Sequence, residues 1–181
     1  MAEVTVKDNV ALLAQIIDDN QVKAAQRKAE AQYGNLATKD WQYMRKRAKI
    51  DLFFLCSAIL GFRRLSPNLH GHLAYWMARN WNARFKCILM PRGHFKSTIL
   101  TEGHTVQVIL PDDTGIVPWP ESLGPNCRVM IGHETEKLAS KFLINITAQF
   151  MSNPMLMGLF PECVPSRARQ RINLTELELP R

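Results

Sequence analysis

The residues best suited to chemistry lie in one short run, Leu89-Met90-Pro91-Arg92-Gly93-His94-Phe95-Lys96-Ser97-Thr98. An apolar stretch from Phe85 to Met90 stops at Pro91 and Gly93, and a helical pattern follows from about Ser97 to Ile109. Such a junction attracts phosphate, because the first turn of a helix leaves amide hydrogens unpaired and carries positive potential. Within it Lys96 has the reach for β and γ phosphates, and the Ser97 hydroxyl can ligate Mg²⁺. Set against GxxxxGK(S/T), Met90 occupies the place of the first glycine and Phe95 that of the second. Gly93, two residues earlier, can supply part of the missing backbone freedom. On the pattern alone a phosphate-binding loop and a merely cationic helix start are equal readings. By its chemistry alone Arg92 reads as an exposed cation, and His94 as a loop-shaping or solvated histidine.

The surrounding elements follow from periodicity. Trp41, Met44, Ala48, Leu52, Leu55 and Ile59 recur at helical spacing, which predicts one helix from Thr38 to Leu60. Its second half is apolar all round and must be buried. Ser66 and Pro67 open another helix with Leu69, Leu73, Trp76 and Met77 on one face. Residues 85–90 and 128–131 read as buried strands, and Leu138, Phe142, Ile146 and Phe150 mark a long helix ended by Ser152-Asn153-Pro154. Pro111 to Asn126, with four prolines and two glycines in 16 residues, reads as a surface loop. Strand, helix, strand, helix predicts an α/β fold with a parallel sheet, preceded by a helical N-terminal region. The domain boundary falls between residues 83 and 84.

The net charge of +7 favours polyanions, and residues 21–50 hold eight basic side chains against two acids. Arg45, Lys46, Arg47 and Lys49 are candidate contacts to DNA phosphates, or else a solvated helix face. Cys56, Cys87, Cys127 and Cys163 lie about 30 to 40 residues apart without a CxxC pair, and read as core or near-core thiols in a reducing compartment. His70 and His72, at i and i+2, read as helix-surface histidines, and His104 and His133 as structural or exposed. Trp41, Trp76 and Trp81 read as packing residues. The longest apolar stretch, Leu52 to Phe62, is shorter than the roughly 20 residues a membrane span needs. With no leader pattern at the N-terminus, a cytoplasmic location in the host cell is expected.

The run Ile88 to Thr98 resembles the deviant Walker A loop of tailed-phage terminase large subunits, which often reads proline-arginine-glycine-histidine before lysine and serine. Val129 to Leu143 is similar to the strand and helix after that loop, and Ser152-Asn153-Pro154 with Leu159-Phe160-Pro161-Glu162 to the segment beyond. The three blocks stand in family order within Asp51 to Arg181. The resemblance implies the front part of a P-loop ATPase domain that powers DNA packaging into a procapsid. ATP and Mg²⁺ would be held by Pro91, Arg92, Gly93, His94, Phe95, Lys96, Ser97 and Thr98, with Arg92 and Lys96 catalytic and Ser97 on the metal. Double-stranded DNA, a small terminase subunit, a portal and further copies of the motor are the implied partners. The Walker B acids and the nuclease domain of that family have no counterpart here; Asp112-Asp113 continues the helix after the loop and falls out of order. A truncated chain with little turnover of its own is therefore expected, and the alternative is a noncatalytic basic adaptor that binds DNA or a packaging protein.

Overall fold

The computed structural model describes residues 24, 27, 38–111, 127–165 and 175–177. Asp112-Asp113, the rest of the expected loop to Asn126, and the basic positions Lys23 and Lys28 lie outside the described residues.

Helix α1 (Thr38–Ile50) runs into α2 (Leu52–Phe54) and a π-helical turn, Leu55–Ile59. The single helix expected here bends at Asp51, whose backbone is extended (φ −115°, ψ 95°) and whose carboxylate accepts from Phe54 N–H at 2.9 Å. That is an N-cap interaction, in which the carboxylate satisfies an amide the bend leaves open. The apolar half after the bend is buried on two sides. Leu55 and Ile59 join Val106, Leu110, Ile146, Phe150, Leu156 and Phe160 in the larger core. Leu52 and Cys56 join Ala74, Met77 and Ile99 in the smaller one. Both cores draw on residues before and after position 83, so packing is continuous across the expected domain boundary.

A second helical run begins with the π-helical segment Pro67–Gly71 and continues as α3 (His72–Arg79). Leu73 and Met77 of the expected face pack inward with His70 and Ala74, whereas Leu69 and Trp76 stand 42% and 40% exposed. After the chemistry-bearing turn come another π-helical segment, Thr98–Gly103, and α4 (His104–Ile109). A Cβ at Gly103 would run into Cys56 Sγ, so this glycine sets how closely α4's entry approaches the buried bend. Helix α5 (Glu136–Ser152) ends where Asn153 caps α6 (Pro154–Leu159), its side chain accepting from Met155 and Leu156 N–H at 3.0 and 3.1 Å.

The expected α/β fold with a parallel sheet is not what forms: among the described residues the elements are helices, and no strand is paired. Residues 85–90 are extended and keep the alternation of a strand. Lys86, Ile88 and Met90 turn inward while Phe85 and Leu89 stand 85% and 88% exposed. Residues 128–131 carry no regular secondary structure, with Met130 94% exposed. Neither segment makes a backbone ladder with another described segment, and a strand exists only through such a ladder. Cys87 is exposed and Cys127 partly so, against the expected four core or near-core thiols; Cys56 and Cys163 are buried, and burial pushes each thiol up to about 12. No helix among the described residues is long and apolar enough to cross a membrane.

Candidate functional site

Between the extended segment and the helix, the chain reverses through two left-handed residues. Gly93 has φ +83°, which glycine adopts without strain. Phe95 has φ +50°, a conformation that costs a side-chain-bearing residue about 1–2 kcal/mol. Phe95 therefore takes the backbone geometry for which glycine is the usual choice at this place. Its ring does not fill the turn. It meets the His70 ring edge-on (centroids 6.1 Å apart) and lies under the Arg64 guanidinium at 4.9 Å.

With Phe95 turned outward, Lys96 and Ser97 line an open cavity of about 470 Å³. Arg84 and Lys86 from the extended segment line it too, with Thr101 and His104 from the following helix. The ammonium of Lys86 donates to the Trp81 and Ala83 carbonyls at 3.1 and 2.9 Å, which ties the segment to the turn that follows α3. Burial, against a hydrogen bond with Gln107 and with help from the Lys86 charge, pushes His104 down from 6.5 to about 4, so at neutral pH its imidazole is uncharged. The helix wall is fixed from behind by Glu102, which accepts from Asn145 of α5 at 2.8 Å. Burial raises the Glu102 carboxyl, opposed by that hydrogen bond and by Lys141. Three cations, two hydroxyls and a neutral imidazole around one opening suit an anion with several charged oxygens.

Of the residues singled out from sequence, Lys96 and Ser97 meet at this cavity, and Thr98 and Ile99 begin the helix behind them, Ile99 N–H bonding to the Phe95 carbonyl at 3.1 Å. Pro91, Arg92, Gly93 and His94, expected to hold the nucleotide, are exposed and do not line the cavity. The His94 ring donates back to the Arg92 carbonyl at 3.1 Å, as a loop-shaping histidine does. Arg92 does not line the cavity; Arg84 does. A Mg²⁺ ion carried in with a polyphosphate would find the Ser97 hydroxyl but no carboxylate on the cavity wall, and no cluster of metal-ligating side chains occurs among the described residues.

The four candidate DNA contacts are not gathered on one surface. The Arg45 guanidinium donates to the Leu159 carbonyl at the end of α6 (2.6 Å), pairs with Glu162 and covers the Phe160 ring at 4.6 Å. Lys49 is buried and donates to the Leu110 and Gln107 carbonyls at the end of α4. Both cations thus close a helix C-terminus, where carbonyls lack intrahelical partners. Arg47 lies 3.4 Å from Asp51 and over Phe54, and Lys46 points into solvent.

Sequence reasoning passed over Arg84, Lys86 and Thr101 at the cavity and read His104 there as structural or exposed; His70, expected on a helix surface, is instead 4% exposed and contacts the turn. The alternation of exposure along residues 85–90, which puts Lys86 with Ile88 on one side, is not announced by a run that is apolar at nearly every position, and nothing local marked His70. No family model, curated protein or solved structure matches this chain.

Proposed function

We propose that the chain binds a nucleoside triphosphate at the Pro91–Thr98 turn, as the nucleotide-holding part of a terminase-like DNA-packaging motor. The observation that carries this reading is the backbone at Phe95. It takes a left-handed conformation and sends its ring away, which leaves Lys96 and Ser97 facing a cationic cavity. Lys96, Arg84 and Lys86 supply the positive charge for a triphosphate, and Ser97 the hydroxyl for an accompanying Mg²⁺. The motor context, with double-stranded DNA, a small subunit, a portal and further copies of the chain as partners, rests on the resemblance of the loop and of the two blocks after it.

Titration of the full chain with Mg-ATP is the direct test. Lys96→Ala is expected to weaken binding at least about tenfold, the equivalent of about 1.4 kcal/mol. Equal affinity of the two proteins removes the site. Because no carboxylate lines the cavity among the described residues, turnover by this chain alone is expected to be negligible. The adaptor reading draws less support, since Arg45 and Lys49, half of its proposed contact set, are engaged inside the fold.

A further inference from the structure

The turn from Arg92 to His94 is exposed, and among the described residues one side-chain hydrogen bond from a distant segment reaches it. That bond comes from His70, whose Nε2 lies 3.1 Å from the His94 carbonyl. The other side of the same ring is already fixed. Ser66 N–H donates to Nδ1 at 2.7 Å, while His70 N–H returns a bond to the Ser66 carbonyl at 2.8 Å. With an amide proton pointing at Nδ1, that nitrogen must accept, so the ring proton sits on Nε2. An Nε2–H must find an acceptor, and the His94 carbonyl is the one it faces. The imidazole is buried, and the Phe95 ring rests on it edge-on, so one side chain touches both the carbonyl before the left-handed residue and that residue's own ring.

We infer that His70 is a positioning residue for the anion-binding turn: locked by Ser66, it holds the His94 carbonyl and the Phe95 ring so that the chain reverses with Lys96 directed into the cavity. The ligand half of this inference rests on the nucleotide reading; the positional half does not. Without the strut, the exposed turn samples other conformations, and apparent affinity falls by the fraction of time the competent one is populated.

The two ring nitrogens can be separated by substitution. In His70→Asn the amide sits at the level of Nδ1 and keeps the Ser66 bond, whereas in His70→Gln it reaches the level of Nε2 and keeps the bond to His94. Backbone order parameters at Gly93–Lys96 in the full chain report the turn directly. Wild type and His70→Gln are expected near 0.85, and His70→Asn and His70→Ala below about 0.6. Mg-ATP affinity should fall in the same order, by about fivefold or more for His70→Asn. A His70→Asn protein with a wild-type turn, or a His70→Gln protein as mobile as His70→Ala, overturns the inference. If the order parameters follow the expected pattern while wild type binds no ATP, the strut stands and the nucleotide reading falls.

Discussion

Replacing Phe95 by alanine and by glycine separates the strain in its backbone from the contacts of its ring. Both substitutions remove a half-buried ring worth about 1 kcal/mol of burial, taken as half of a full phenylalanine. Both also remove the contact with Arg64, about 0.5–1 kcal/mol at an accessible site, and the edge contact with His70, of about 0.5 kcal/mol or a little more. Phe95→Ala keeps a Cβ at φ +50° and should lose the whole of this, about 2 kcal/mol. Phe95→Gly recovers about 1–2 kcal/mol of left-handed strain and gives back about 0.5–1 in unfolded-chain entropy, for a net loss nearer 1 kcal/mol. For a chain of 181 residues, each kcal/mol moves the midpoint by about 2–4 °C, so alanine should melt about 6 °C below wild type and glycine about 3 °C below. Thermal unfolding of the three proteins is the assay, with urea unfolding as a check on the free energies. Glycine more stable than alanine reverses the usual order of the two residues, and the reversal has no source here other than the backbone angle. Alanine equal to or better than glycine would refute both the left-handed turn and the account of how Phe95 occupies a place made for glycine.

Two further outcomes follow from buried polar groups. Lys49→Met should destabilise by about 2 kcal/mol, because the Leu110 and Gln107 carbonyls lose a charged donor while the ammonium's own desolvation is relieved, whereas exposed Lys46→Ala should stay within about 0.5 kcal/mol; chemical denaturation compares them. His104, held near 4 in the folded chain against 6.5 unfolded, contributes stability that is complete above pH 6.5 and is lost as pH falls toward 4, by about 3 kcal/mol in all. The raised Glu102 carboxyl works in the opposite sense above its unfolded value of 4.5 and trims the loss. Unfolding measured at pH 7, 5.5 and 4.5 should show this slope in wild type and a clearly shallower one in His104→Gln.

The turn was legible because its determinants are contiguous. Pro91 and Gly93 stop an apolar run, Lys96 and Ser97 open a helix, and the left-handed demand one residue before the lysine falls on Phe95. What surrounds the turn was less so. Arg84 and Lys86 come from the segment before it, and His104 from a full helical run after it, so their meeting at one opening depends on how the extended segment lies across the helix. The basic arm illustrates the opposite error. Arg45 and Lys49 read as surface charge because their acceptors, at Leu159, Glu162, Gln107 and Leu110, are 58 to 117 residues away along the chain.

By itself the sequence determined where helices run and where they stop. Apolar spacing placed the buried faces of Leu52 to Leu60 and of α5, Pro67 and Pro154 marked helix starts, and Pro91 and Gly93 marked where the apolar run from Phe85 to Met90 stops. These are properties of residues within a turn or two of one another, and local sterics and hydrophobic period are enough to fix them. Only the tertiary structure decided that neither expected strand makes a ladder with another described segment, that Lys49 and His70 are buried, and that the Phe95 ring rests on His70. Each of those outcomes depends on a partner far away in the chain: a strand needs another backbone beside it, and a buried polar side chain needs an acceptor that only folding brings within reach.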